Sequence, residues 1–348
     1  MKQKITKALE NVFTIDNKKN IIEAGIVKNI DFLKDEIIIH IHLSNPTLHI
    51  KKKLEKDIHQ SIKYQNVSLD AKRIRIRIET IVLNTKKKID GIKNIIAVAS
   101  GKGGVGKSTI ATNIAVSLVK MGFHVGLLDA DIYGPSIPLM FNLLEEDMIS
   151  SCIIKKNGNY LMNPIIRYGV KILSLGFFSK SGQAIVWRGP MATKFLRKFI
   201  HETDWGGLDF LIVDLPPGTG DIHLSLLQEI PLKGIIIVST PQKIALSDVH
   251  RAVEMFRIRS IHVPILGIIE NMSFFLIKKE KYYFFGKNGV RNFSKKMNIF
   301  FLGEIPMLQN IRESSDLGVP IVLENDQIRQ IFGRITKNII DQLNYHIS

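Results

Sequence analysis

Residues Gly101–Thr109 read GKGGVGKST, and what flanks them decides the fold. Ile95, Ile96, Ala97, Val98 and Ala99 come just before, a continuous apolar run of the kind that forms a strand buried on both faces. Ile110, Ile114, Ala115 and Leu118 come after at helical spacing, and Gly122 supplies a helix stop. In this strand–loop–helix context, Gly101-x4-Gly106-Lys107-Ser108 is a phosphate-binding loop. The chemistry requires these residue types. Glycines let backbone N–H groups close around phosphate oxygens with no Cβ in the way. The helix N-terminus adds partial positive charge, Lys107 reaches the β and γ phosphates, and Ser108 offers Mg²⁺ a hydroxyl ligand. The expected ATP cradle is therefore Gly101, Lys102, Gly103, Gly104, Val105, Gly106, Lys107, Ser108 and Thr109.

The 348 residues suffice for one large domain and a small one. At 45% hydrophobic and 23% charged residues the composition is that of an ordinary globular chain, and no apolar run reaches the ~18 residues of a spanning helix. The basic start, MKQKITKALENVF, has no apolar core of a signal peptide. A single cysteine, Cys152, excludes an internal disulfide and fits a reducing cytoplasm. The net charge of +16 admits nucleic acid or anionic lipid as partners, but also a plain lysine- and isoleucine-rich composition. Residues 1–93 hold 20 Lys/Arg against 11 Asp/Glu, a surplus of +9. Those positives lie among isoleucines without interleaved aromatics, which argues against nucleic acid.

The fold class expected is α/β: a P-loop NTPase with a mostly parallel sheet flanked by helices, preceded by a small α/β domain. Residues 1–80 read as that small domain, 81–93 as a polar linker and 94–348 as the ATPase domain. In the first, a helix over about Ile5–Phe13 precedes an alternating strand at Ile37–Leu43. A helix over Leu48–Tyr64 follows, with Ile50, Leu54, Ile58 and Ile62 on one face. Arg73, Arg75 and Arg77 alternate with isoleucines; they are read as an acid-binding face or as the charged solvent side of an edge strand. His40 and His42 share a strand face but have no third ligand in the sequence nearby for a metal. From Lys93 onward, strands alternate with helices: Ile95–Ala99, Val125–Asp129, Val170–Leu175, Phe210–Asp214, Gly234–Thr240, Ile265–Glu270 and Phe300–Ile305. Ligands in such sheets sit at the carboxyl ends of the strands. Four of those ends carry polar or glycine-rich residues: the loop itself, Asp129-Ala130-Asp131, Asp214, and Glu270-Asn271.

Phosphoryl transfer is mostly positioning and charge stabilisation, so a carboxylate near the γ-phosphate orients or deprotonates the attacking water. Asp129 and Asp131 stand at the end of the second strand, either in that role or capping the next turn. Asp214, closing Leu211-Ile212-Val213, suits the Mg²⁺ shell beside Ser108. Gly218 and Gly220 suit a switch loop whose backbone senses the γ-phosphate. At the C-terminus, Ile328, Ile331, Phe332, Ile335, Ile339 and Leu343 form an apolar stripe, either packed on the sheet or lying on a membrane.

The second loop lysine, Lys102, gives the form K-G-G-x-G-K-S/T, which resembles the deviant Walker A ATPases: nitrogenase iron protein, MinD and ParA, and the Mrp-type iron–sulfur carriers. Asp214-Leu-Pro-Pro-Gly-Thr-Gly-Asp221 and Trp187-Arg-Gly-Pro-Met191 are similar to the Mrp subfamily in particular, as are Glu270-Asn-Met-Ser273, Val238–Gln242 and Gly303–Met307. Over about 93–330 the chain resembles an Mrp/ApbC-type cluster carrier. More loosely, on element order alone, residues 1–80 resemble the small domain that many Mrp proteins carry. The resemblance implies a homodimeric, Mg-dependent, ATP-hydrolysing protein that serves iron–sulfur apoproteins or scaffold proteins. It also implies that Lys102 reaches across the dimer to the partner's nucleotide, that Asp131 positions the water and that Asn271 reads adenine. One departure stands out. The family's C-x-x-C, which bridges a cluster between protomers, follows the Glu-Asn-Met-Ser motif. Here Phe274–Tyr283 contains no cysteine. Iron–sulfur clusters need thiolates, so no residues are assigned as cluster ligands and bound cluster stays an open question. Either direct ligation is lost, or Cys152 from each protomer works with outside ligands, or the role has moved to ATP-dependent assistance. A ParA/MinD-like positioning ATPase acting on DNA or membrane is the alternative.

Overall fold

A computed structural model describes residues 2–14, 19–33, 36–43, 48–65, 73–80, 89–131, 134–143, 153–156, 159–178, 189–220, 223, 226–227, 230–258, 261, 263–278 and 280–347. Contacts divide the chain into two compact units, Met1–Thr85 and Lys86–Ser348.

In the first unit, α1 (Lys2–Leu9) and α2 (Leu48–Tyr64) accompany a three-stranded sheet of β1 (Val27–Phe32), β2 (Glu36–Leu43) and β3 (Arg73–Thr80). The order is β1-β2-β3, with β1 antiparallel and β3 parallel to β2. Period-two alternation sends Ile37, Ile39 and Ile41 into a core with Ile5, Leu9, Ile58 and Ile62. Arg75 and Arg77 face outward on β3, and Arg75 lies 3.6 Å from Glu36. β3 ends the sheet, so among the described residues these arginines are the charged side of an edge strand. The first helix stops at Leu9, short of the expected Phe13, because Phe13 pairs with Asn20 in an isolated bridge.

The second unit is built on an eight-stranded sheet. Its strands are β4 (Ile92–Ser100), β5 (Val125–Asp129), β8 (Ile165–Arg167), β9 (Val170–Ser174), β10 (Leu208–Asp214), β11 (Gly234–Ser239), β12 (Ile265–Glu270) and β15 (Phe301–Glu304), in the order β15-β12-β11-β4-β10-β5-β9-β8. All neighbours are parallel except β8, an antiparallel edge hairpin with β9. Outside it, β6 (Ile153–Lys156) pairs with β7 (Asn159–Met162), and β13 (Phe275–Ile277) with β14 (Glu280–Tyr282). β4 starts at Ile92, inside the stretch read as linker, since Leu208 and Phe210 of β10 already pair with Ile92 and Asn94.

The helices are α3 (Lys107–Lys120), α4 (Ile137–Met140), α5 (Gly189–His201), α6 (Lys243–Arg257), α7 (Gly289–Met297), α8 (Gln309–Leu317) and α9 (Asp326–Ile347). Ile328, Phe332, Ile335, Ile339 and Leu343 of α9 are buried, and the helix packs on α3, β12 and β15. Burial of side chains of this size contributes about 1.5–3 kcal/mol each. Lifting the stripe onto a membrane would forfeit all five, so the apolar stripe is core. No helix among the described residues is long and apolar enough to cross a membrane. Cys152 and Trp187–Arg188 lie outside the described residues; Met191 sits exposed on α5.

Candidate nucleotide-binding site

The loop Gly101–Gly106 leaves the central strand β4 at its carboxyl end and feeds directly into α3, with Gly106 as the N-cap. Two glycines are fixed by their neighbours. A Cβ on Gly101 would lie 2.5 Å from backbone atoms of Asp248 and Val249 on α6. Gly106 takes φ +82°, in the left-handed region, and a Cβ there would run into the Asn271 side-chain amide. Asn271 directly follows β12, and its Nδ2 donates to Val105 O at 2.8 Å. The residue expected to read adenine thus props the phosphate loop here.

Beneath the loop, Lys107 is 6% exposed; its Nζ donates to Asp214 Oδ1 at 2.7 Å and to Ser108 Oγ at 3.3 Å, and lies 4.0 Å from Asp131 Oδ2. Asp214 arrives from β10 and Asp131 from just past the end of β5, so carboxylates from two separate strand ends converge on one ammonium. The second carboxylate of β5, Asp129, has a different job. It is fully buried and accepts from Asp131 N at 3.1 Å, Ile137 N at 3.3 Å and Ser174 Oγ at 2.9 Å. It caps the turn that presents Asp131, so the turn-capping reading holds for Asp129. Burial, and then the charge of Asp214, push Asp129 up to about 7. The Oδ2 of Asp214 is buried and has no hydrogen-bond partner among the described residues. A buried, half-engaged carboxylate beside a serine hydroxyl is a hard-oxygen donor set, and it fits Mg²⁺.

Lys102 stands apart from this cluster. Its Nζ reaches Gln242 Oε1 at 3.5 Å, at the start of α6. Glu270 also turns away: its Oε2 accepts from Val290 N at 2.8 Å at the start of α7, and burial raises its pKa. Loop and strand ends are laced together by backbone bonds, Gly218 N to Ser100 O at 2.9 Å and Asn271 N to Ser239 O at 2.8 Å. Sequence reasoning quoted Gln242 in the Val238–Gln242 motif without giving it a role, and missed His223. His223 is 2% exposed, and its Nε2 lies 2.7 Å from Pro216 O in the loop after Asp214. His223 belongs to none of the quoted motifs; only the fold brings it against the loop.

A parallel sheet with a glycine loop, a buried Lys–Asp pair and carboxylates at adjacent strand ends defines a P-loop nucleotide-binding protein of the MinD/ParA architecture. Residues 91–343 match the family described as NUBPL iron-transfer P-loop NTPase, and the chain belongs to that family. Residues 2–71 match a second family, described as iron–sulfur cluster assembly protein. The chain is 47% identical over 258 residues, 73% of its length and 69% of the relative's, to the iron–sulfur cluster carrier protein of Aquifex aeolicus. It is 37% identical over 333 residues, covering 94% of this chain and 91% of the relative, to the carrier protein of Deinococcus radiodurans. Among solved structures, a nucleotide-binding protein of Archaeoglobus fulgidus in complex with ADP is 36% identical with a TM-score of 0.59, covering 71% of this chain and 95% of that one. The MinD cell division ATPase of Pyrococcus furiosus, 19% identical with a TM-score of 0.51 over 71% of this chain and 98% of its own, shares the fold.

Proposed function

We propose that the chain is an Mg-dependent ATPase that works as an iron–sulfur cluster carrier or assembly factor, a homodimer acting in the cytoplasm on apoproteins or scaffold proteins. The observation that carries this reading is the buried Lys107–Asp214 pair beneath the glycine loop, in a chain of the iron-transfer family. The backbone of Gly101–Thr109 cradles the phosphates. Lys107 exchanges Asp214 for phosphate oxygens and faces the charge that develops as the γ-phosphoryl group leaves. Ser108 and Asp214 would hold Mg²⁺, which would neutralise phosphate charge. Asp131, kept in place by Asp129, orients the attacking water. Asn271 donates one amide hydrogen to the loop and keeps a second N–H and its carbonyl for the adenine edge. Lys102, parked near Gln242, is the residue that crosses to the partner's nucleotide. The small domain 1–80 and the ATPase domain work as separate folding units.

Where the family's ligating cysteines are expected, this chain has the β13–β14 hairpin, built on Phe275, Leu276, Ile277 and Tyr282 with Lys281 over the Phe274 ring. That set offers no thiolate, the ligand an iron–sulfur cluster needs. A positioning role of the ParA or MinD kind rests on a likeness that reaches only the fold.

The test is anaerobic incubation with iron and sulfide, read by visible absorbance and iron content, beside ATP hydrolysis. A [4Fe–4S] cluster ordinarily takes four thiolates, and a dimer of this chain offers only its two Cys152 side chains. The expected result is turnover that depends on Lys107, with any colour weak and lost in Cys152→Ser. Failure to bind ATP overturns the ATPase reading. A stable brown protein unchanged in Cys152→Ser overturns the reading of the hairpin.

A further inference from the structure

The loop that follows Asp214 has an unusual anchoring problem. Pro216 and Pro217 bring no N–H donors, so this segment can be fixed only through its carbonyls and through the glycines beyond. Gly218 N is tied to Ser100 O on the nucleotide-loop side. On the other side stands His223. Its backbone N donates to Gly220 O at 3.0 Å, and its ring closes back over the loop, Nε2 to Pro216 O at 2.7 Å. A carbonyl only accepts, so Nε2 carries the proton and Nδ1 is left as an acceptor. That Nδ1 is buried and accepts no hydrogen bond from the described residues. Burial pushes the ring's pKa down, against the backbone bonds to Pro216 and Gly220, which raise it; the charge of Lys107 lowers it further and that of Asp131 raises it. A buried imidazole with one nitrogen spent on the switch loop and the other without a partner among the described residues is not ordinary core packing.

We propose that His223 is a positioning residue for ATP hydrolysis: by holding the Pro216 carbonyl it fixes the Pro216–Gly220 loop in the conformation that presents the Gly218 and Gly220 backbone to the γ-phosphate. The inference rests on the ATPase reading above and names a residue that no motif of the chain contains. It separates loop geometry from nucleotide affinity, because His223 lies behind the loop while the phosphate cradle is Gly101–Thr109.

The experiment compares full-length His223→Gln, His223→Phe and His223→Ala with the unaltered chain. A Gln amide can donate to Pro216 O; Phe fills the space without a donor. Hydrogen exchange of the 215–223 segment is measured first, without nucleotide. It should quicken in Phe and Ala and stay slow in Gln. ATP affinity and kcat are measured next. The affinity should hold within about twofold throughout, while kcat should fall about tenfold in Phe and Ala, the equivalent of one lost hydrogen bond, and recover in Gln. Exchange and kcat in His223→Phe equal to those of the unaltered chain would show a packing role and overturn the proposal. Quickened exchange with unchanged kcat would overturn it too, since the loop would then not set the rate. If the unaltered chain binds no ATP, the ATPase reading fails by itself, and the exchange result still decides whether His223 holds the loop.

Discussion

Gly106 and Asn271 form a contact whose energetics can be worked out before any measurement. Gly106→Ala places an L residue at φ +82°, which costs about 1–2 kcal/mol, less about 0.4–1 kcal/mol returned by the stiffer unfolded chain. Its Cβ also occupies the position of the Asn271 amide, so the bond to Val105 O must break. Leaving that carbonyl unsatisfied costs about 1–3 kcal/mol. The single substitution should therefore destabilise by about 3 kcal/mol, and Asn271→Ala, which loses the same bond without the strain, by about 2 kcal/mol. In the double variant the bond is already gone and the clash is relieved, so the cost stays near 3 kcal/mol and the coupling is about 2 kcal/mol. Both tryptophans, Trp187 and Trp205, belong to the second unit, so fluorescence-monitored urea unfolding follows that unit alone. A double variant destabilised by the full sum, about 5 kcal/mol, would refute the claim that the added methyl group and the Asn271 amide compete for one space.

Four further outcomes are expected. Lys107→Ala should abolish ATP turnover and also destabilise the nucleotide-free protein by about 3–5 kcal/mol, because Asp214 is left buried and unpaired; Lys107→Ala with Asp214→Asn should regain much of that in thermal unfolding but none of the activity. Asp131→Asn should bind ATP yet turn over slowly, which single-turnover kinetics would separate from a binding defect. ATP with Mg²⁺ should raise the dimer population in sedimentation and Lys102→Ala should remove that rise. The pH dependence rests on Asp209, whose carboxylate is held at about 2 by Lys93 and by the His124 backbone N–H. A lowered folded-state pKa means the contribution is complete above about pH 4 and drains away as the pH falls towards 2. Asp209→Asn should flatten acid unfolding in that window.

How much could be read in advance depended on whether a signal was local. Continuous apolar runs gave the strands β4, β5, β10, β11 and β12 with ends shifted by at most a few residues, because both faces of a parallel strand must be apolar. The α2 helix matches its expected span, since four isoleucines and leucines at a spacing of four leave no other periodicity. The hairpins β6–β7 and β13–β14 and the edge strand β8 were not legible: strands of three or four residues carry too few alternations to be distinguished from loops. The site divides in the same way. Lys107, Asp131 and Asp214 come together as their motifs required. Asn271 was placed correctly at a strand end, but its bond to Val105, 166 residues away in the chain, follows only from the parallel order of β4, β11 and β12. Gln242 closes the Val238–Gln242 motif but had no role there, His223 lies in none of the quoted motifs, and both are understood from what lies against them.

The charges beneath the loop state why this site exists. Lys107, Asp129, Asp131 and Asp214 are all at most 9% exposed, three acids against one base. A fold selected for stability alone would not assemble them, because removing charges from water costs more than one ion pair returns. Burial and the charge of Asp214 raise the pKa of Asp129, which favours its neutral form and relieves part of the excess. What remains is a surplus of negative charge around Ser108 and Asp214, the arrangement that selects a divalent cation, while Lys107 and the α3 N-terminus face the phosphates. The two requirements are opposite in sign and met within a few ångströms. The local charge imbalance is therefore a property of the nucleotide site, and it stands complete in a chain whose β13–β14 hairpin carries phenylalanine and lysine and no thiol. The phosphate-loop residues are all present while Phe274–Tyr283 carries no cysteine, so the sequence departs from the family pattern at this hairpin and not at the nucleotide loop.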